Sequence, residues 1–254
     1  MTTVRGQLLE MLKVVATALE QDLRDRLFVG GCTTALFITD PVTLEDVRAT
    51  DDIDLIVDLA GLAEWGQLLE QLRERGFKES SDDDVICRMR LGLLKVDFMP
   101  DDEAILGFSN RWYAKGIETG QDHQLTESLT IRFLTRPLFI ATKLEAFADR
   151  DGDDLYSSRD AEDILFVVDG REELGQELAN ADLDVKAYIA EQFQALLKHR
   201  DFDDFLLGNL RGQAGRVPEI LSGLCRNPHA DHAGSGRRSS KPCARSQHAP
   251  CWYL

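Results

Sequence analysis

Three aspartates carry most of the chemistry that this sequence can offer. Asp52 and Asp54 occur in the segment TDDIDLIVD, and Asp97 interrupts the apolar run LLKVDFM. Because the side chains of a strand alternate between its two faces, Asp52 and Asp54 are expected to point the same way. Two adjacent carboxylates repel each other by roughly 4 kcal/mol at an effective dielectric constant near 20. The pair therefore predicts a bound cation, whereas Asp97 alone is explained equally well by an ion pair or by a cap at a strand end.

A glycine turn precedes the aspartate pair in the chain. Gly30 and Gly31 follow three apolar residues and lead into small residues that favour a helix start. A helix N-terminus binds phosphate through its free N–H groups and its dipole. We therefore expect Gly30 and Gly31 to cradle nucleotide phosphates, with Thr33 or Thr34 as the nearest hydroxyl. Together with the aspartates, this turn predicts a divalent metal that holds a nucleoside triphosphate.

These motifs resemble a known family. The GG pair at residues 30–31 and the TDDID segment at residues 50–54 are similar to the GG…[T/S]xDxD signature of the DNA polymerase β-like nucleotidyltransferase superfamily. The arrangement from about residue 4 to residue 211 resembles its AbiEii/AbiGii-type toxin branch, which includes the toxins of type IV toxin–antitoxin pairs. The resemblance implies that Asp97 is the third carboxylate of a two-metal site, supplied by a neighbouring strand.

A second block extends the resemblance towards the C-terminus. The segment ATKLEAFADR, followed by SSRDAEDI, is similar to the family's KLxAfxxR…[KR]DxxDi block. This implies that Lys143 contacts the nucleotide phosphates and that Asp160 lies at the edge of the site. Asp163 is expected to cap or pair structurally. Without the resemblance, Lys143 would be interpreted as a lysine that reaches solvent beside Glu145.

The pattern of apolar residues predicts an α/β (α+β) fold. We expect a nucleotidyltransferase-type mixed β-sheet with flanking helices in residues 1–134, a helical C-terminal domain in residues 135–225, and a disordered tail in residues 226–254. The main predicted helices cover residues 4–23, 32–38, 63–75, 107–120, 138–147, 160–168, 185–198 and 202–210. The predicted strands cover residues 27–30, 53–59, 77–79, 85–89, 91–99 and 125–134.

Charge and hydropathy limit the partners. The net charge is −16; residues 213–254 carry a balance of +4, so residues 1–212 carry −20 and are strongly acidic. An acidic body repels nucleic acid unless a local basic patch offsets it. No apolar run approaches 18 residues and no signal peptide is recognisable, so we expect no membrane span and a cytoplasmic location.

These features predict transfer of a nucleoside monophosphate from an NTP to a hydroxyl, with release of pyrophosphate. Asp52 and Asp54 would hold two Mg²⁺ ions, with Mn²⁺ as the alternative ion, and Asp97 would complete the second metal's shell and accept the proton. The resemblance implies a tRNA 3′ end as acceptor, a toxin role and a cognate antitoxin protein. Two alternatives are a small-molecule nucleotidyltransferase of the antibiotic-modifying type and a non-catalytic nucleotide-binding module that works through a partner.

Overall fold

A mixed six-stranded sheet with flanking helices organises this α/β chain. The computed structural model describes residues 3–23, 27–150, 154–210 and 216–224. Its strands, in chain order, are β1 (Leu27–Val29), β2 (Asp52–Val57), β3 (Arg88–Leu91), β4 (Leu94–Pro100), β5 (Gln121–Thr126) and β6 (Leu129–Phe133). They are arranged in the sheet in the order β3-β4-β2-β1-β6-β5. Strand β2 is parallel to β4 and antiparallel to β1, while β1 is parallel to β6.

The helices surround this sheet and make up most of the chain after residue 135. They are α1 (Val4–Leu23), α2 (Gly31–Phe37), α3 (Pro41–Asp46), α4 (Leu62–Glu74), α5 (Glu103–Leu106), α6 (Tyr113–Thr119), α7 (Arg136–Arg150), α8 (Arg159–Gly170), α9 (Leu174–Ala179), α10 (Leu183–Leu196), α11 (Phe202–Asn209) and α12 (Arg216–Leu224). None of those in the described part of the chain combines the length and hydropathy that a membrane span requires.

The sequence-based elements are largely confirmed, and the differences have local causes. Helix α1 covers the predicted residues because apolar side chains recur every three or four positions over 20 residues. Helix α3 is absent from the predicted helices; it begins at residue 41 because Asp40 accepts a hydrogen bond from the Thr43 N–H and Pro41 occupies the first turn. The strand predicted at residues 125–134 corresponds to β6, and β5, most of which precedes the predicted segment, pairs with it as a hairpin.

The register of the central strands decides which side chains share a face. Strands β2 and β4 pair so that Asp54 lies directly opposite Asp97. The intervening residues Ile53 and Val96 also lie opposite each other and are fully buried in the hydrophobic core. Alternation along both strands therefore places the aspartates together on one face and the aliphatic side chains on the other.

The C-terminal helices complete the aspartate-bearing side of the molecule. Helix α8 packs against α7, α2 and α3. Gly170, at the end of α8, allows this approach: an added Cβ would lie 2.7 Å from Ile38 Cγ2, and the Gly170 carbonyl accepts the N–H groups of Thr39 and Asp40. The buried apolar residues form one cluster that includes both the sheet and these helices. The division at residue 134 stays a prediction, and the tail of residues 226–254 lies outside the described residues.

Candidate active site

A cleft of about 510 Å³ opens on the aspartate-bearing face of the sheet. Its lining includes Asp52, Asp54 and Asp97, so the fold brings the three predicted carboxylates together. The Thr50 hydroxyl donates a hydrogen bond to Asp52. The Asp54 carboxylate, in contrast, forms no hydrogen bond or ion pair with any residue in the described part of the chain.

The pKa of Asp54 reflects this lack of partners. It is raised from 3.8 to about 7, mainly because burial disfavours the charged carboxylate and secondly because Asp52 and Asp97 are negatively charged neighbours. Lys143 and Arg150 lower the pKa, but their effects are smaller than those of burial and of the two aspartates. A carboxylate in this environment lacks a cation. The donor set and its shortage of positive charge therefore fit a divalent metal that binds carboxylate oxygens.

Gly30 gives the Asp54 carboxylate its space. Its φ is +76°, in the region that residues with a side chain rarely adopt, and an added Cβ would lie only 1.7 Å from Asp54 Oδ2. Gly31 has a less restricted environment, since its added Cβ would approach Arg48 Nη2 at 3.1 Å. The glycine pair predicted from the sequence thus lies beside the carboxylates, and Gly31 lines the cleft.

The threonines after the glycine pair do not reach the cleft. Thr33 and Thr34 are both fully buried, and the Thr33 hydroxyl donates to the Gly30 carbonyl. Helix α2, which contains them, has only seven residues. The structure therefore does not bring either predicted phosphate-binding hydroxyl to the site, because both side chains face the core.

Asp97 is held by an arginine that the sequence interpretation missed. Arg88 on β3 lies directly opposite Asp97 on β4, and its Nε and Nη2 donate to Asp97 Oδ1 and Oδ2, each at 2.7 Å. The hydrogen bonds to Asp97 raise the pKa of Arg88 further. The ion pair considered for Asp97 from the sequence alone is therefore present. The sequence feature that could have predicted this ion pair is the two-residue turn at Gly92 and Leu93. That turn fixes the register of the hairpin and so places Arg88 opposite Asp97.

Lys143 and Asp160 lie on the helical side of the same cleft, in a closed ionic network. Lys143 Nζ lies 2.8 Å from Asp160 Oδ1 and 2.7 Å from Asp163 Oδ2, and all three side chains are buried. Arg150 Nη2 contacts the second oxygen of Asp160 at 2.6 Å, and Arg48 approaches Asp163 at 3.5 Å. Burial lowers the pKa of Lys143, but the two aspartates outweigh it and the net shift is upward. Asp163 pairs structurally, as predicted.

The remaining lining residues add positive charge and apolar surface to the cleft. Arg159 is exposed at the cleft and forms no ion pair with any residue that the structure describes. Met99, Phe108 and Tyr113 supply an apolar wall, and the Tyr113 hydroxyl contacts Met99 Sδ at 3.3 Å. The cleft thus combines carboxylates, guanidinium groups and apolar surface, which are complementary to the metal ion, the phosphates and the base of a metal-bound nucleotide.

Comparison with known proteins adds no identity. No protein-family model matches the chain, and no curated protein sequence matches it.

Within the described residues, no group of three His, Cys, Asp or Glu side chains forms a ready-made metal site. Of the three aspartates in the cleft, Asp97 directs both oxygens to Arg88, which leaves Asp52 and Asp54 as the two that could bind a metal without a rearrangement.

Proposed function

We propose that this protein is a metal-dependent nucleotidyltransferase that transfers a nucleoside monophosphate from an NTP to an acceptor hydroxyl. The observation that carries the proposal is the Asp54 carboxylate, which lies beside Asp52 and Asp97 in the cleft and pairs with no basic side chain among the residues that the structure describes. The Gly30 turn beside Asp54 and the arginines that line the cleft add support, because a metal-bound triphosphate needs close approach of the backbone and positive charge. The resemblance of the aspartate and glycine motifs to the polymerase β-like superfamily points to the same chemistry.

The acidic residues of the cleft would bind the metal ions and accept the proton. Asp52 and Asp54 would hold Mg²⁺ or Mn²⁺, and Asp97 would join them when Arg88 releases it. The bound ions would neutralise the leaving pyrophosphate and lower the pKa of the attacking hydroxyl. The acceptor oxygen attacks the α-phosphorus, the bond to the bridging oxygen breaks, and pyrophosphate leaves with that electron pair. The acceptor's proton passes to Asp97, as proposed from the sequence.

The mouth of the cleft suggests how a charged acceptor could approach. Arg150 has a side chain that is 67% exposed, and Arg159 is also exposed, so both present positive charge in a strongly acidic chain. Such a local patch is what an RNA acceptor requires. We therefore propose the tRNA 3′ end as the first acceptor to test, with a toxin role and a cognate antitoxin as the biological setting that the resemblance implies.

A transfer assay tests this proposal. The protein is incubated with Mg²⁺ and each of the four NTPs labelled at the α-phosphate, in separate reactions with total tRNA and with aminoglycosides. Label in tRNA supports the proposed acceptor, and label in the aminoglycoside supports the small-molecule alternative. A parallel reaction with γ-labelled NTP should leave the acceptor unlabelled, because the γ-phosphate departs in pyrophosphate.

The matched control is a neighbouring aspartate outside the cleft. Asp51 is exposed and pairs with Lys95 at 2.8 Å. Asp51→Asn should keep full activity, whereas Asp52→Asn and Asp54→Asn should lose it. Failure of every NTP to label any acceptor, together with wild-type effects of the Asp54→Asn protein in cells, would favour the non-catalytic alternative.

A further inference from the structure

The Arg88–Asp97 ion pair occupies the carboxylate that the proposed metal site needs. Both strands of the β3–β4 hairpin hold the two residues directly opposite each other, and the side chains are 15% and 11% exposed. The guanidinium contacts both carboxylate oxygens, so no oxygen of Asp97 is left without a charged donor. Bidentate arginine–carboxylate pairs are among the stronger hydrogen-bonded contacts in proteins. A metal can use Asp97 only if this contact loosens.

Two other cations of the cleft, Lys143 and Arg48, each contact two acidic residues that are not candidate metal ligands. Lys143 is shared between two buried aspartates, and Arg48 contacts Glu162 at 3.1 Å as well as Asp163. Arg88 differs because its single carboxylate partner is itself a candidate metal ligand. If a metal takes Asp97, the displaced guanidinium needs another anion in the cleft. A triphosphate is such an anion, since a planar guanidinium binds phosphate oxygens in the same bidentate way.

We propose that Arg88 and the metal compete for Asp97, and that the triphosphate of the incoming nucleotide resolves this competition by taking the Arg88 guanidinium. This inference rests on the proposed nucleotidyltransferase function. Its consequence is that metal alone binds weakly, while metal and nucleotide bind cooperatively. The coupling is reciprocal, so the metal must strengthen nucleotide binding by the same factor. The site would thus load fully only with a metal–nucleotide complex.

The test measures metal binding rather than turnover. Free Mn²⁺ is titrated by electron paramagnetic resonance against the full-length protein, alone and with each of four NTP analogues that carry a non-hydrolysable α,β-imido bridge. For the wild-type protein, we expect that any analogue that binds will increase the affinity for Mn²⁺ by about tenfold or more, which is within the usual range of coupling between two sites. Arg88→Gln should tighten binding of Mn²⁺ alone by about tenfold and abolish the coupling.

Arg90 provides a matched control. It lies two residues further along β3 and makes an equivalent bidentate contact, with Nε and Nη2 at 2.7 and 2.8 Å from the Asp83 carboxylate, but it does not line the cleft. Arg90→Gln should leave both Mn²⁺ affinity and its dependence on nucleotide unchanged. Arg88→Lys should keep partial coupling, because a lysine retains the charge but not the bidentate geometry.

The outcomes separate this inference from the function on which it rests. If wild-type protein binds no Mn²⁺–nucleotide complex, both are overturned. If it binds the complex but Arg88→Gln changes neither Mn²⁺ affinity nor the coupling, the competition is overturned and the transferase proposal stands. Should thermal melting show that Arg88→Gln does not fold, Arg88→Lys replaces it as the test, because it keeps Asp97 as a ligand and removes only the bidentate contact. Reduced coupling in Arg88→Lys supports the competition, and coupling equal to that of the wild-type protein overturns it.

Discussion

The helical wall and the sheet wall of the cleft both contain aspartates and basic side chains, but they differ in how fully the aspartates are paired. On the helical wall, the carboxylates of Asp160 and Asp163 are matched by Lys143, with arginines on their outer sides. On the sheet wall, Arg88 makes its bidentate contact with Asp97, and Asp54 has no cation partner in the described structure. A network that neutralises itself stabilises the fold, whereas a deficit of positive charge prepares a site for a cation. From this comparison we interpret the helical wall as structural and propose the sheet wall as the binding surface.

The largest expected effect is on the sheet wall. Asp54→Asn should reduce nucleotide transfer by about 10⁴-fold, or about 5–6 kcal/mol in the activation barrier, because it removes a central metal ligand. The free energy of unfolding should stay equal or rise, since a neutral amide in this position relieves repulsion from Asp52 and Asp97. Transfer rates and urea unfolding curves measure the two effects. Reduced stability in the variant would contradict the assignment of Asp54 to binding.

The helical wall should respond in the opposite way. Lys143→Met is expected to lower the free energy of unfolding by about 3–4 kcal/mol, because breaking a buried ion pair leaves carboxylates without adequate compensation. Urea unfolding measures this loss. Arg150→Gln is the matched control: its side chain is 67% exposed, so it should cost less than about 1 kcal/mol. If Lys143→Met were as stable as wild type but failed to bind nucleotide, Lys143 would be the phosphate ligand that the resemblance implies.

A third comparison uses the two glycines beside the sheet wall. Gly30→Ala should lower the free energy of unfolding by about 2–3 kcal/mol, because alanine at a φ of +76° is strained and its Cβ would overlap the Asp54 carboxylate. Gly31→Ala requires only a small shift of Arg48 and should cost less than about 1 kcal/mol. Denaturant unfolding of both variants distinguishes them. Equal effects would show that close approach to Asp54 is not what requires Gly30.

These results also show which parts of the fold the sequence could predict. Residues 4–23 gave a confirmed helix because one apolar stripe continues for 20 residues. Strand β5 was missed because its side chains are mostly exposed and polar, so no alternation of apolar residues marks it. Helix α3 was missed because proline both ends helices and favours their first turn. Whether Pro41 ends one helix or begins another depends on Asp40 as an N-cap, and the structure shows this cap as a hydrogen bond between Asp40 and the Thr43 N–H.

The site was predictable where its geometry is local to one element. Asp52 and Asp54 share a face because strand side chains alternate, and no tertiary information is needed. The position of Asp97 opposite Asp54 depends on the register of two parallel strands that are distant in sequence. The engagement of Lys143 by Asp160 and Asp163 depends on how α7 packs against α8. Tertiary packing also explains why Thr33 and Thr34 face the core, although the glycine pair before them was placed correctly.

The smallest expected effect is the pH dependence of stability, which should have opposite signs on the two walls. Without metal, the pKa of Asp54 is raised from 3.8 to about 7, so its contribution to stability is greatest below pH 4 and is lost as the pH rises towards 7. The pKa of Asp160 is lowered: its burial alone would raise it, but Lys143 and Arg150 dominate, so its contribution is lost as the solution is acidified below about pH 4. Urea unfolding in EDTA should show that the free energy of unfolding of the wild-type protein falls between pH 5 and pH 8 by roughly 1–2 kcal/mol more than that of Asp54→Asn. This difference is smaller than the full pKa shift implies, because the cleft admits water. Added Mg²⁺ should remove this difference at pH 8 by stabilising wild type alone, and equal stabilisation of both proteins would place the ion somewhere other than on Asp54.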